Sequence, residues 1–186
     1  MYQNIDRSSI LDSSFHIMAL ETINYIINKN IETKAKISEL EGLGSHLGER
    51  VANHLLNNNT TMSNVTKMEA DEIMKFLGRD VWIFVFGRQI SKLQTNRKGI
   101  FLIDAEEIKF HQFLIMDKSG NDQLEIILSF VSGIIKGVVA AFNLDCIVTA
   151  GFKVAPILNT ILSNGGTPSN NQQGVLSYSF TINLSV

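Results

Sequence analysis

The chain has 186 residues, 45% of them hydrophobic and 18% charged, and its formal net charge is −2. This length predicts one domain with a substantial core, and the charge argues against a nucleic-acid-binding protein, which usually carries a basic excess. The one cysteine, Cys146, excludes an internal disulfide and fits a reducing compartment. The first residues show no signal peptide, and the longest apolar run, residues 126–142, contains Lys136 and is shorter than a membrane span. We expect a soluble, intracellular protein.

Three helices are predicted in the first half of the chain. Ser9 and Asp12 mark the start of the first, and its apolar stripe is Leu11, Phe15, Met18, Thr22 and Ile26. The second covers residues 37–56, with a stripe of Leu40, Leu43, Leu47, Val51 and Leu55, and a polar loop follows at residues 57–66. Thr66 and Glu69 read as a capping box that opens the third. Its apolar face is Ile73, Phe76, Leu77, Val81, Phe84 and Val85.

The second half of the chain alternates between strand and helix patterns. A hairpin is predicted from residues 91–95 and 99–104 around a turn at 96–99, and a further strand at 109–115. Residues 122–143 form a helix that is apolar on more than one side, so we expect it to be covered on most of its circumference. Strands follow at residues 145–150 and 175–186, and the polar stretch 159–174 is expected to be disordered. The order predicts a single α+β domain over residues 1–186, with a helical layer on one face of a small antiparallel sheet.

Glycines within the predicted helices invite two functional interpretations. Gly42, Gly44 and Gly48 are spaced like a nucleotide-binding turn, but the residues before them are polar and helix-like, whereas such a turn follows a buried strand. Close approach of a neighbouring helix is the favoured explanation. Gly133 and Gly137 have the spacing that pairs membrane helices, but Lys136 beside them favours packing against the sheet.

No catalytic pattern is found in the sequence. Ser132 lacks the preceding glycine of a nucleophile elbow, and no phosphate-binding loop is present. The four histidines, His16, His46, His54 and His111, are scattered and do not form a helical metal pair. The carboxylates Asp104, Glu106 and Glu107 are interpreted as a solvated strand edge. We therefore predict no catalytic, metal or cofactor-binding residues.

A family resemblance begins at the third helix and continues through the hairpin. Its signature residues here are Lys75, Phe76, Asp80, Trp82, Phe86, Gln89, Leu93, Thr95, Asn96 and Gly99. The sequence Leu40-Glu41-Gly42-Leu43-Gly44 with Gly48, the stretch Phe130 to Gly137, the strand Val148-Thr149-Ala150 and Pro156 extend the likeness over about residues 37–158. These features resemble the small subunits of the TRAPP vesicle-tethering complex, in particular the subunit 6 type.

The resemblance implies a TRAPP small-subunit fold of the α-β plait type and a structural, non-enzymatic role. It implies pairing with another small TRAPP subunit through the first helices, within a complex that acts on a Rab-type GTPase in endoplasmic reticulum-to-Golgi and Golgi transport. The location implied is cytoplasmic, at endoplasmic reticulum and Golgi membranes. The predicted partner interface is Leu40, Leu43, Gly44, Leu47, Gly48 and Val51.

Two alternatives remain open from the sequence. The chain is otherwise interpreted as a carrier of a small hydrophobic ligand or lipid, with a pocket between helices and sheet. One member of the family carries a fatty-acylated cysteine, but Cys146 opens a late strand and does not match that position, so no acylation site is assigned. A basic group of Arg88, Lys92, Arg97 and Lys98 is either a solvated face or a site of peripheral contact with anionic lipids.

Overall fold

The computed structural model describes residues 7–58, 68–96, 98–106, 120–155 and 175–185. The helices are α1 (Arg7–Ile27), α2 (Thr33–Asn58), α3 (Ala70–Phe76), α4 (Trp82–Phe86) and α5 (Gly120–Ala140). A π-helical turn, Leu77–Val81, joins α3 to α4. The strands are β1 (Lys92–Thr95), β2 (Ile100–Glu106), β3 (Asp145–Ala155) and β4 (Val175–Ser185). The strand predicted at residues 109–115 and the insert at 159–174 lie outside the described residues.

The four strands form one antiparallel sheet in the order β1-β2-β4-β3. Alternation along the strands divides it into a buried and an exposed face, because successive side chains point to opposite sides. The buried face consists of Phe101, Ile103, Ala105, Tyr178, Phe180, Ile182 and Leu184. This arrangement confirms the predicted α+β class, with helices on one face of an antiparallel sheet.

Helix α5 is the centre of the core. It packs on β3 on one side and along α2 on the other, which is why it is apolar around most of its circumference, as predicted. The prediction that this apolar run is too short for a membrane span was wrong, because Gln123–Ala140 is the one segment in the described part of the chain that is long and apolar enough to cross a membrane. That stretch is 78% buried inside the fold, as expected of a core helix.

The face that the first helix presents to the core matches the predicted stripe only in part. Ile26 of that stripe is buried, together with Leu20 and Ile23, whereas Met18 and Thr22 are exposed, and the side chains of Leu11 and Phe15 lie outside the described ones. The prediction was wrong for Met18 and Thr22 because α1 is apolar on two sides, so periodicity alone could not decide which side meets the rest of the chain. The chain is already helical at Arg7, before the predicted start at Ser9.

The π turn explains why the third predicted helix is partly misassigned. A π turn holds one more residue than an α turn, so it rotates every later position about the helix axis. Trp82 and Phe86 are therefore buried together with Val81 and Val85, and Phe84, predicted to be in the core, is 51% exposed. The signature residue Trp82 is 1% exposed and packs against Phe86 and against Phe180 of β4, with ring centroids 4.6 and 5.9 Å apart.

Two helix ends lie at other residues than predicted, and the hairpin turn lies where it was expected. Helix α2 continues through Asn58, so the first residues of the predicted loop are helical. Helix α3 begins at Ala70 after Glu69, whose backbone N–H donates to the Glu72 carboxylate at 3.2 Å, one turn later than the predicted capping box. The hairpin turn is confirmed. The Asn96 Oδ1 accepts hydrogen bonds from the backbone N–H groups of Lys98 and Ile100, and Gly99 has φ of 80°.

Candidate subunit interface

The two glycine pairs that stood out in the sequence meet each other across α2 and α5. A Cβ at Gly44 would overlap the Phe130 carbonyl oxygen, and one at Gly48 the Ile134 carbonyl oxygen. The relationship is reciprocal, since Gly133 and Gly137 lie in the same way against α2 backbone. The prediction of a neighbouring helix was right for Gly44 and Gly48. It was wrong for Gly42, which has open space around it, and Gly133 and Gly137 contact α2 and not the sheet.

This contact changes the predicted partner interface. Leu40, Gly44, Gly48 and Val51 are buried within the chain itself, so they are not available to a second subunit. The physical reason is that the most apolar stripe of α2 is already covered by α5. Leu43 and Leu47, one helical turn apart, remain at the surface: Leu43 is 39% exposed and Leu47 is partly buried against the core.

The exposed side of α1 adds apolar residues that the sequence prediction either included in the apolar stripe or did not single out. Met18 is 71% exposed, and Ile17 and Tyr25 are also mostly exposed. Met18 and Tyr25 are seven residues apart, about two turns, so they share one face of the helix. The sequence did indicate this second apolar face, because the residues between Ile17 and Ile27 are apolar on both sides of the helix.

Polar contacts join the end of α1 to the start of α2. The Lys36 Nζ donates to the carbonyl oxygen of Ile27 at 2.6 Å. Lys29 bonds the Glu39 carboxylate at 2.5 Å and lies over the Tyr25 ring, 5.0 Å from its centroid. The hydrogen bond to Glu39 raises the pKa of Lys29 above its usual value, so this lysine stays charged. These bonds and the short connection join α1 and α2 as a helical hairpin, and Met18 of α1 and Leu43 of α2 are both exposed.

A second apolar group lies at the far end of α2. The rings of His54 and Phe84 have centroids 5.8 Å apart, and a nitrogen of the His54 ring is 3.0 Å from the Asn58 amide. Ile83 beside Phe84 is 43% exposed. His54 lies two turns after Leu47 in α2, so the side chains of Leu47 and His54 are on the same side of that helix.

Side chains with reactive groups are distributed over α2, β2 and β3 in the described part of the chain. No group of three or more His, Cys, Asp and Glu residues there is arranged to hold a metal ion. Cys146 is half-buried at the start of β3, and burial raises the pKa of its thiol to about 11, against the opposing effect of Lys136. Asp104 and Glu106 lie along β2, with Lys92 of β1 paired opposite Asp104. Glu107 and Arg97 lie outside the described residues.

Comparison with known proteins identifies the family to which the chain belongs. The profile described as "Transport protein particle (TRAPP) component" matches residues 15–166. The chain belongs to the TRAPP family. It is 28% identical over 148 residues to trafficking protein particle complex subunit 6b of Danio rerio, covering 78% of this chain and 91% of that protein. It is 31% identical over 129 residues to subunit 6B of Mus musculus, covering 68% and 77% of the two chains.

The fold of this TRAPP chain is similar to a solved structure of another subunit type. That structure is trafficking protein particle complex subunit 3 from Naegleria fowleri covalently bound to palmitic acid. The TM-score is 0.68 with 12% sequence identity, and the match covers 96% of this chain and 97% of the other. The predicted resemblance is confirmed. The protein is a TRAPP small subunit of the subunit 6 type, a component of a complex in vesicle-mediated transport.

Proposed function

We propose that this chain is an architectural TRAPP subunit that pairs with another small TRAPP subunit through the outer faces of α1 and α2. The observation that carries the proposal is the exposed apolar side of this hairpin, with Ile17, Met18 and Leu43 at the surface. Large apolar side chains that are exposed in an isolated subunit are typical of subunit interfaces, because a partner removes them from water. Leu47 extends the surface toward His54 and Phe84.

We further propose that the chain supports exchange on a Rab-type GTPase without contributing catalytic groups. The complex would act at the cytoplasmic side of endoplasmic reticulum and Golgi membranes. The exposed basic side chains of Arg88, Lys92 and Lys98, close to the hairpin of β1 and β2, support peripheral contact with anionic lipids. Each such residue near a charged membrane contributes up to about 1 kcal/mol.

The alternative function, a lipid carrier, has weaker support. A groove of about 650 Å³ does lie between α2, α5 and β3. Its walls combine apolar side chains, among them Leu128 and Phe152, with the exposed carboxylate of Glu125, whereas a bound acyl chain is stabilised by a lining that is apolar throughout. The raised pKa of Cys146 also makes that thiol a weak nucleophile at neutral pH. The architectural role is therefore preferred.

The pairing is tested by co-expressing the chain with a second small TRAPP subunit and analysing the product by size-exclusion chromatography. Met18→Asp places a carboxylate in the proposed contact, where burial without a partner charge is heavily penalised. We expect this variant to lose the heterodimer and keep its circular dichroism spectrum. Ile147→Asp is the matched control, since Ile147 is also exposed, at 62%, but lies on the sheet. A heterodimer that survives Met18→Asp, or that both variants disrupt equally, would contradict the proposed face.

A further inference from the structure

The groove of about 650 Å³ between α2, α5 and β3 has both apolar and polar walls. One wall is a single face of α5, formed by four residues at helical spacing: Glu125, Leu128, Ser129 and Ser132. The other walls are Ile37 and Glu41 of α2 and residues 148–152 of β3. The volume is typical of pockets that hold a small molecule. The order of polar and apolar side chains along α5 therefore indicates which molecule fits.

The middle of the groove is apolar. Val148, Ala150 and Phe152 are alternate residues of β3, so their side chains point to the same face of the sheet, where they pack against the core. Leu128 of α5 and Ile37 of α2 add apolar surface on the other walls. A ligand must therefore be apolar between its ends, because polar groups there would lose water without gaining hydrogen bonds.

Ser132, at one end of the α5 wall, is a buried polar side chain without a partner. It is 6% exposed and lines the groove, and within the described residues its hydroxyl makes no hydrogen bond. Ser129 on the same wall differs, because its hydroxyl donates to the carbonyl oxygen of Ile126 at 2.6 Å. A buried hydroxyl that lacks a partner is unfavourable, so a ligand group that bonds to Ser132 is stabilised there.

Glu125, at the other end of the α5 wall, is a carboxylate without a counter-ion. It is exposed and forms no ion pair or hydrogen bond with the described part of the chain. Glu41 on the α2 wall is different, since its carboxylate is bound to the Lys136 ammonium. A cation is therefore attracted to the Glu125 end of the groove, whereas the carboxylate of a fatty acid would be repelled there.

The separation of Glu125 and Ser132 sets the length of the ligand. They are seven residues apart on α5. At the rise of an α-helix this corresponds to about 10 Å along the axis. A lysine side chain of another protein is shorter than this span. A free molecule with polar groups at its two ends reaches both residues and places its middle against Leu128.

We propose that the groove binds a small amphiphilic amine. Its cationic group pairs with Glu125, its apolar middle packs against Leu128 and Phe152, and a hydrogen-bonding group at its far end contacts Ser132. The exposed apolar residues of α1 and α2 that carry the proposed pairing do not line this groove. The two proposals are therefore independent, and the failure of one leaves the other standing.

The proposal is tested with 8-amino-1-octanol, in which an eight-carbon chain separates an ammonium group from a hydroxyl. Isothermal titration of the full chain should show saturable 1:1 binding. Octylamine lacks the hydroxyl and should bind at least about threefold more weakly. The carboxylate analogue 8-hydroxyoctanoate should bind at least about tenfold more weakly, because it brings a like charge to Glu125. Absence of saturable binding of the amino alcohol up to about 10 mM would overturn the proposal, as would equal affinity for all three molecules.

A lysine side chain of a partner protein is the other source of an organic cation, and Nα-acetyl-lysine methylamide represents it. This compound has the same charge as the amino alcohol but a shorter apolar stem. We expect its affinity to be at least about tenfold lower. Equal or stronger binding would contradict a site for a free amine and would assign the groove to a protein partner.

Variants of the chain locate the ligand. Ser132→Ala should weaken binding of 8-amino-1-octanol at least about threefold and leave the affinity for octylamine unchanged, because octylamine has no group for that hydroxyl. Glu125→Gln should weaken both amines and remove the preference over the carboxylate analogue. Glu49→Gln is the matched control, since Glu49 is exposed on α2 and does not line the groove. Unchanged affinities in both Ser132→Ala and Glu125→Gln would refute the site. Where a variant alters the melting temperature, the ranking of the ligands on the unmodified chain decides the question.

Discussion

Gly137 of α5 lies against the backbone of Ser45 in α2, so closely that a methyl group at Gly137 would overlap the Ser45 carbonyl oxygen. Backbone cannot move aside as a flexible side chain does. We predict that Gly137→Ala separates the two helices and lowers the free energy of unfolding by about 1–3 kcal/mol or more. Chemical denaturation measures this change directly.

The matched control for this prediction is Gly42→Ala on the same helix pair. Gly42 is exposed on α2, and a methyl carbon added there would have no neighbouring atom within 4 Å, so nothing obstructs the substitution. Alanine is favoured over glycine inside a helix, and we expect a gain of about 0.5–1 kcal/mol. Destabilisation by both substitutions to a similar extent would contradict the prediction, because the contact with Ser45 exists at Gly137 and not at Gly42.

Trp82 is predicted to be one of the largest single contributors to stability. It is 1% exposed and contacts the rings of Phe86 and Phe180, so it joins the helical layer to the sheet. Trp82→Ala should lower the free energy of unfolding by about 3–5 kcal/mol. Phe84→Ala, in the same helix but 51% exposed, should change it far less. A loss below about 1 kcal/mol at Trp82 with an unchanged denaturant slope would contradict the packing described.

Local patterns in the sequence predicted much of this fold. The alternation in residues 99–104 and the turn around Asn96 defined the β1–β2 hairpin, because a turn and a two-residue period depend on neighbours in the chain. The apolar character of residues 122–143 on more than one side identified α5 as a covered helix, because this too is a property of residues that are neighbours in the chain. The family signature then identified the assembly to which the chain belongs.

Features that depend on distant contacts were not predicted. The π turn at Leu77–Val81 rotates Phe84 to the surface, and α-helical spacing contains no sign of it. Gly133 was predicted to pack against the sheet, whereas it packs against α2. The spacing of Gly133 and Gly137 indicates that a neighbouring backbone approaches closely, but it does not indicate which one. Leu40 and Val51 were predicted to lie in the partner interface but are buried within the chain. An apolar stripe indicates that another element packs on it, but not whether that element belongs to the same chain or to a partner.

Cys146 is predicted to react slowly with alkylating reagents. Burial raises the pKa of its thiol to about 11. At pH 8 only about one thiol in a thousand is then ionised, and the thiolate is the reactive form. The rate of modification by iodoacetamide should rise about tenfold per pH unit from pH 7 to 10. Rapid modification at pH 7, comparable with a free cysteine peptide, would show that the thiol is accessible and its pKa ordinary.

The same raised pKa predicts how stability depends on pH. Between the ordinary pKa of a thiol and about 11, the folded chain retains a proton that the unfolded chain has lost. Because the folded state binds more protons there, stability falls as pH rises through this window. Cys146→Ser removes the effect, so the difference between the two proteins in unfolding free energy should change with pH above about 8.5 and be constant below it.

Substitution by aspartate should affect the stability of the fold differently at Leu43 and at Leu47. Leu43 is exposed, and Leu43→Asp is expected to remove the partner subunit while the chain keeps its circular dichroism spectrum and melting temperature. Leu47 also packs against the core, so Leu47→Asp should lower the melting temperature as well as prevent pairing. Size-exclusion chromatography with the co-expressed partner, combined with thermal unfolding, separates the two effects. Pairing that survives Leu43→Asp would place the interface on another surface.

The isolated chain is expected not to accelerate nucleotide release from a Rab-type GTPase. Exchange requires groups that displace the nucleotide phosphates or its metal ion, and the residues at the proposed interface are mainly apolar: Ile17, Met18 and Leu43. Release of a fluorescent guanine nucleotide from the GTPase, with the chain in large excess, should proceed at the intrinsic rate. An assembled TRAPP complex containing the chain provides the positive control. A complex reconstituted with Met18→Asp should lose exchange activity in proportion to lost assembly, because the substitution removes the subunit and no catalytic group. Acceleration by the chain alone would refute a purely architectural role.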